Sequence, residues 1–396
     1  MKEITAHTGL RGITALVVMF FHLAPDYFFA GFSATVLPYL FGHTAVDLFF
    51  ILSGFILCYV YAVPGQPQPR GGHWNYHVAR FARVYPLHLA TLAFLGLLAL
   101  VMLRRGAITG EYRLIDFFKQ VFLVNGYPGL GPSMTWNYPA WSISIEYLAY
   151  LLIFPLFLRW RPARMHPAVV LLLVAVGTLA EVLYIVYRPE PSGSDAKIQH
   201  WLWIGVLRGF VGFLSGCLLH HVFTSSPRTT AFFQRRAAVC AVLALAVVIL
   251  AGRGWFSFWW LLLAWPPLAL ALTSSAGWTG QLLSSRVALF FGNLSYSVYM
   301  LHAVAGKIVN ATLYRRPGLL PSPWLQVAGV AYLLGVVLLA WLSFRFFEMP
   351  LRFWLRTLLN REPASVGPPS AASAAGSEAV RHGHLTTPDA GSSPRD

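Results

Sequence analysis

The sequence predicts an all-α, polytopic membrane helix bundle of about ten transmembrane helices, with both termini on the cytoplasmic side. Three observations carry that prediction. Of 396 residues, 57% are hydrophobic and only 11% charged, where a soluble domain holds about 25% charged residues. Apolar runs long enough to cross a bilayer recur along the chain. The Lys and Arg behind the net charge of +15 sit mostly in short segments between those runs. That placement is the topology signal of a membrane protein and not the basic groove of a nucleic-acid binder, so no nucleic-acid partner is expected. Cys58, Cys217 and Cys240 all fall in apolar runs, which excludes a disulfide framework and a readable metal spacing. No small-residue cleavage site follows the first apolar run, so no cleaved leader is expected.

In chain order, the spans fall at roughly 12–30, 44–63, 84–103, 139–158, 167–187, 201–222, 237–252, 255–273, 287–310 and 324–346. Residues 104–138 form a longer loop, with a short amphipathic piece from Leu114 to Val124 and then the turn-rich run N-G-Y-P-G-L-G-P-S. With the N-terminus inside, the inner segments hold more Lys and Arg than the outer ones, and the main dissent is the basic loop at 104–119. Residues 1–356 read as one integral-membrane domain. Residues 357–396, rich in Ser, Ala, Gly and Pro, are expected to be a disordered cytoplasmic tail. No repeat of twenty to fifty residues is visible.

The stretch from Arg11 to His22 organises the chemistry. Residues eleven apart on a helix share a face, about 16 Å apart along the axis, so both side chains line one wall. Taken singly, Arg11 reads as an interfacial anchor and His22 as interhelical glue; their common face favours a site. Asp47 opens the second span: it either complements the helix dipole or orients His22. Ser53 and Gly54 interrupt that span, Gly54 permitting close packing. Arg80 and Arg83, three apart, are either positive-inside anchors or a fork for phosphates. Glu146 lies about two turns inside the fourth span, where an unpaired carboxylate costs about 3 kcal/mol or more. Its structural reading is a buried pair with Arg208 of the sixth span. Trp141 and Ser142 sit at the rim. Ser295, Tyr299 and His302 share one helix face, as a hydrogen-bonded seam or as part of a site.

Together these motifs resemble the membrane-bound acyltransferase-3 family, bacterial O-acyltransferases of surface glycans. The family's Arg–ten residues–His pattern falls on Arg11 and His22. Its G-V-D-x-F-F-x-x-S-G-F block is similar to Ala45–Phe55, with Ala45 in place of Gly. Its R-x-x-R-x-x-P block falls on Arg80, Arg83 and Pro86. Its W-S-L-S-x-E-E block resembles Trp141–Tyr147, with Tyr147 in place of the second acid. The S-Y-x-x-Y-x-x-H pattern falls on Ser295, Tyr296, Tyr299 and His302, and the closing R-F-F-E-x-P block on Arg345–Pro350.

The resemblance implies a multi-pass enzyme of the bacterial inner membrane with no bound cofactor and no metal. It implies acyl-CoA, usually acetyl-CoA, as cytoplasmic co-substrate, and a carbohydrate or glycolipid hydroxyl as acceptor, reached in contact with membrane lipid. In that frame His22 is the general base, Asp47 orients it, and Arg11, Arg80 and Arg83 meet the donor phosphates. Glu146 is catalytic, and Ser142, Arg208, Tyr299 and His302 bind substrate, with Arg208 or Tyr299 at the oxyanion. A covalent route through His22, Ser53 or Ser142 stays open. No second folded domain follows the last span, so the acceptor is expected to reach the membrane cavity itself, or a separate partner to act. Acceptor identity and oligomeric state leave no mark in the sequence. The alternative from another class is a proton-coupled transporter or flippase, which also uses buried Arg, His and Glu, but neither inverted repeats nor paired broken helices are visible.

Overall fold

In the computed structural model, residues 3–23, 28, 37–63, 66–104, 112–130, 135–160, 165–309, 312–313 and 320–360 are described, and among them only helices and connecting turns occur. The first apolar run forms α1 (Thr5–His22). It is followed by α2 (Leu37–Tyr61), α3 (Gly72–Arg104) and the short amphipathic α4 (Leu114–Val121). Next come α5 (Ala140–Trp160), α6 (Pro167–Tyr187) and α7 (Ser194–Ser225). A bent pair follows, α8 (Pro227–Gln234) and α9 (Ala237–Gly252), at 58° to each other. The chain closes with α10 (Phe258–Ala271), α11 (Gly277–Leu283), α12 (Arg286–Val309) and α13 (Pro323–Leu359). Proline starts α6 and α8, where its missing N–H costs nothing. The residue before each proline caps the helix: His166 Nδ1 accepts from Ala168 N and Ser226 Oγ from Thr229 N.

Among the described residues, seven helices are long and apolar enough to cross a membrane, eight with the bent pair taken as one span. The sequence reading counts about ten. The two extra segments are α1, whose 18 residues include Arg11 and two histidines, and the short α10. Packing direction bears on both. Gly9 and Gly12 of α1 lie against Leu283, Ala288, Phe291 and Gly292 of the α11–α12 region, and His22 meets His302. Residue numbers rise together, so α1 and α12 run parallel. The same holds for α2 and α7, where Asp47 meets Arg208 and Gly54 meets Phe213 and Cys217. Parallel neighbours require an even number of steps between them in an alternating series, which fits α1 as first and α12 as ninth only if α10 counts as a crossing.

Small residues make these seams possible. Without a hydrophobic force between helices in lipid, contact comes from close packing, and glycine lets backbones approach. A methyl on Gly12 would collide with the backbone of Phe291 and Gly292, and one on Gly216 with Ile51 and Phe55. Leu97, Leu172, Val242 and Leu334 stand exposed on the outer faces, as lipid-facing residues do. Helix α13 continues to Leu359, three residues past the expected domain end at 356. Residues 361–396 of the expected tail, and residues 24–27 and 29–30 of the first predicted span, lie outside the described residues.

A Gly12→Ala change is expected to lower the stability of the purified protein by about 1–3 kcal/mol. Gly335→Ala, where nothing lies within 4 Å of the added carbon, is expected to be neutral. Thermal unfolding in detergent compares them.

Candidate active site

Three arginines converge where the N-terminal half of α1 meets the start of α3. Arg11 lies within electrostatic reach of Arg83 and Arg80, and of Glu146 and Tyr150. Arg80 donates to Tyr61 Oη at 3.2 Å, and its guanidinium carbon stands 5.3 Å from the Tyr61 ring centre and 5.8 Å from that of Tyr150. Their spacing on α3 turns Arg80 and Arg83 toward one side. The Nε atoms of Arg11 and Arg80 are buried with no hydrogen-bond partner among the described residues. Buried donors are nearly always satisfied, so such groups mark strain or a missing ligand.

Glu146 faces this cluster from α5 and accepts hydrogen bonds from Ser53 Oγ and Tyr150 Oη. A π-helical turn at Ala149–Ile153 follows it and carries Tyr150. Such one-residue insertions concentrate at functional sites. Glu146, Arg11, Ser142, Ser295, Tyr296 and Tyr299 contribute to the wall of a cavity of about 40 Å³, with Phe49 and Phe50 among its apolar lining. The volume suits a few waters, each needing roughly 10–15 Å³. Within it, Ser142 Oγ and Tyr299 Oη share a hydrogen bond of 2.6 Å, and both lie near the Pro139 carbonyl.

Beyond the cavity, toward the C-terminal end of α1, His22 stacks on His302 with ring centres 5.0 Å apart and planes 29° from parallel. Tyr138 tilts against His22 at 5.1 Å, and Tyr299 meets His302 at 5.8 Å. His22 Nδ1 is 2.9 Å from the Val18 carbonyl, and His302 Nδ1 is 3.2 Å from that of Val298. A carbonyl oxygen only accepts, so in each ring Nδ1 holds the proton and Nε2 keeps its lone pair. His302 Nε2 is buried with no hydrogen-bond partner among the described residues.

Tyr138 is placed by a loop under tension. Leu123 and Trp136 take positive φ of 52° and 51°, which costs a non-glycine residue about 1–3 kcal/mol and needs its surroundings to hold it. They do so here. Trp136 Nε1 donates to Arg113 O at 3.0 Å, and Gln120 Nε2 to Thr135 O at 2.6 Å. Asn137 N donates to Gln120 Oε1 at 3.3 Å, and Asn137 Nδ2 to Thr91 Oγ1 at 3.1 Å and Met300 O at 3.4 Å.

Two expected pairings are corrected. Arg208 does not pair with Glu146. Its Nε and Nη2 donate to the two Asp47 carboxylate oxygens at 2.8 and 2.7 Å, and Nη2 also donates to His43 O at 2.6 Å. Its guanidinium also stands 4.9 Å from the Trp259 ring centre and 5.7 Å from that of Trp141. Asp47, spent on that fork, does not orient His22; the helix's own Val18 carbonyl does. Ser53 and Ser142 have no hydrogen bond to a histidine among the described residues. The sequence reading passed over Glu181, which is buried on α6 within electrostatic reach of Asp47 and Arg208. A lone carboxylate in an apolar span was the signal that could have found it. It also missed Tyr138 and Tyr150, whose roles arise from contacts between helices. Among the described residues no group of His, Cys, Asp and Glu could hold a metal ion.

With the geometry in hand, likeness to known proteins becomes informative. The family model described as an acyltransferase domain matches residues 5–344. Acyltransferase MdmB of Streptomyces mycarofaciens is 32% identical over 194 residues, 48% of this chain and 48% of MdmB. Peptidoglycan O-acetyltransferase OatA of Listeria monocytogenes is 23% identical over 379 residues, 89% of this chain and 56% of OatA. Protein 2 in picA locus of Rhizobium radiobacter is 32% identical over 187 residues, 43% of this chain and 90% of that protein. The chain thus spans about half the length of MdmB and OatA. No solved structure matches it significantly.

Asp47→Ala is expected to destabilise the protein by about 3–5 kcal/mol, because Arg208 is left charged and buried. The double change Asp47→Ala with Arg208→Ala is expected to cost less than the sum of the two single changes. Unfolding of the four proteins in detergent measures that coupling.

Proposed function

The chain belongs to the acyltransferase-3 family, and from that premise we propose that it moves an acyl group, usually acetyl, from acyl-CoA arriving at the cytoplasmic side to a hydroxyl of a carbohydrate or glycolipid. The observation that carries this reading is one polar column through the bundle. Unpartnered guanidinium nitrogens stand at one end, the Ser142–Tyr299 cavity in the middle, and a tautomer-fixed imidazole at the other end. With the N-terminus inside, the arginines face the cytoplasm and His22 the far half of the membrane, about 16 Å deeper. The donor phosphates rest on Arg11, Arg80 and Arg83, for which guanidinium forks are suited, and the pantetheine arm lies along α1. At about 40 Å³ the cavity is far below the ~300 Å³ of a ligand pocket, so its walls part to admit the thioester.

His22 Nε2 takes the proton of the acceptor hydroxyl while that oxygen attacks the thioester carbonyl carbon. Negative charge collects on the former carbonyl oxygen. Tyr299 Oη donates to it, replacing its bond to Ser142. Arg208, held by Asp47, is no longer the candidate for that role. The C–S bond then breaks, the new ester is released, and the imidazolium returns its proton to the departing thiolate. Direct transfer is favoured over an acyl-serine because neither Ser53 nor Ser142 is hydrogen-bonded to a histidine among the described residues. Stacked His302 holds the His22 ring in place and shields it from water. OatA is, by its name, a peptidoglycan O-acetyltransferase, which makes a cell-envelope glycan the first acceptor class to try. The column has two unlike ends, phosphate-binding and imidazole, and that asymmetry suits transfer better than carriage of one solute.

Purified His22→Ala is expected to lose acyl transfer from acetyl-CoA to a glycan acceptor by about 10²–10⁴-fold, while its elution and melting match the parent. Parent-level transfer in that variant would end the proposal. Tyr299→Phe is expected to reduce kcat by about 10-fold or more with little change in KM for the donor.

A further inference from the structure

The C-terminal segment of α13, Met349–Leu359, carries a cation that the site described so far does not use, Arg352. We infer that Arg352 completes the donor subsite by binding the phosphate farthest from the thioester, the 3′-phosphate on the ribose of coenzyme A. This rests on the acyl-CoA reading above.

Helix α13 is not α-helical throughout. A π-helical turn at Phe344–Glu348 interrupts it and brings Glu348 inward. There Glu348 Oε1 accepts from Ser297 Oγ of α12 at 2.5 Å and from Ser343 Oγ at 2.9 Å. Arg352, four residues later, shares the Glu348 face. Its neighbours Phe353, Trp354 and Leu358 are 75%, 56% and 61% exposed and point the other way. An interfacial anchor would sit among them, yet Arg352 is half-buried: its Nη1 lies 3.9 Å from Met349 Sδ, and its Nε is buried with no hydrogen-bond partner among the described residues. Trp74 Nε1 donates to Leu359 O at 2.7 Å, pinning this end of α13 to the start of α3, two turns before Arg80.

Charge then orders the subsite. Arg352 lies within electrostatic reach of Arg83, Arg80, Arg356 and Glu348. Arg11 lies within reach of Arg83, Arg80 and Glu146. Arg80 and Arg83 are thus charged neighbours of both Arg11 and Arg352. Each nearby carboxylate accepts from hydroxyls through its Oε1 alone, and among the described residues Glu348 Oε2 and the Nε atoms of Arg11, Arg80 and Arg352 have no hydrogen-bond partner. Like charges brought together and left with free donors call for a polyanion. Coenzyme A presents its phosphates in the same order: the pyrophosphate follows the pantetheine arm, and the 3′-phosphate lies beyond it. With Arg11 nearest the reacting end and Arg80 and Arg83 at the pyrophosphate, Arg352 is left for the 3′-phosphate.

The test is equilibrium binding of acetyl-CoA and 3′-dephospho-acetyl-CoA to the full-length protein in detergent. The parent, Arg352→Gln, Arg352→Lys and the exposed control Arg228→Gln are compared, each checked for unchanged melting. The parent is expected to prefer acetyl-CoA by about tenfold or more, the weight of one charge-assisted contact. Arg352→Gln is expected to lose that preference by weakening acetyl-CoA alone. Arg352→Lys is expected to keep part of it, and Arg228→Gln all of it. A preference kept in Arg352→Gln, or equal weakening of both donors, overturns the assignment of Arg352. A parent that binds neither donor overturns the acyl-CoA reading itself, and this assignment with it. Should Arg352→Gln fail to fold, Arg352→Lys carries the same comparison, and an unaltered preference there overturns the assignment.

Discussion

The close parallel approach of α1 and α12 is the contact on which the rest depends. Gly9, Gly12 and Gly292 let the two backbones nearly touch. About 15 Å farther along each helix, that register delivers His22 to His302. In lipid the apolar faces of helices are no better off against each other than against acyl chains, so close packing has to do what hydrophobicity does in water. A side chain at Gly12 would push the helices apart and open the space between the two imidazoles.

The buried charges fall into two kinds. Arg208 and Asp47 satisfy each other through a two-pronged bond, with the His43 carbonyl and two tryptophan rings closing the rest of the guanidinium surface. Such a pair joins α2 to α7 and leaves little to offer a ligand. Arg11, Arg80 and Arg352 each keep a buried Nε donor with no acceptor among the described residues. A fold tolerates that cost where something else supplies the acceptor. The difference between the two kinds separates the structural cation from the binding ones more clearly than depth in the membrane does.

Tyr138 and the Pro139 carbonyl reach the site on a loop between α4 and α5, not on a long span. The loop holds two left-handed non-glycine residues in place through Gln120, Asn137 and Trp136. The network ties the loop to α3, α4 and α12, although Asn137 Oδ1 and Thr135 Oγ1 have no hydrogen-bond partner among the described residues. Tyr138 thereby lies against both His22 and His302, and the Ser142 and Tyr299 hydroxyls lie near the Pro139 carbonyl.

The sequence by itself determined the helices, the amphipathic α4, the family, and the fact that Arg11 and His22 share one face of one helix. All of these follow from local periodicity, hydropathy or ordered motifs, which act within one segment. Pairings across segments were decided only by tertiary structure. Asp47 sits with Arg208 and not His22, Glu146 takes Ser53 and Tyr150 and not Arg208, and Glu181 and Arg352 come into place beside charges far away in the chain. The reason is physical. Hydropathy says that a segment is in the membrane, but a lipid tail does not distinguish one apolar face from another. Which faces meet is settled by where glycines let backbones close, and by which buried donors and acceptors can then satisfy one another.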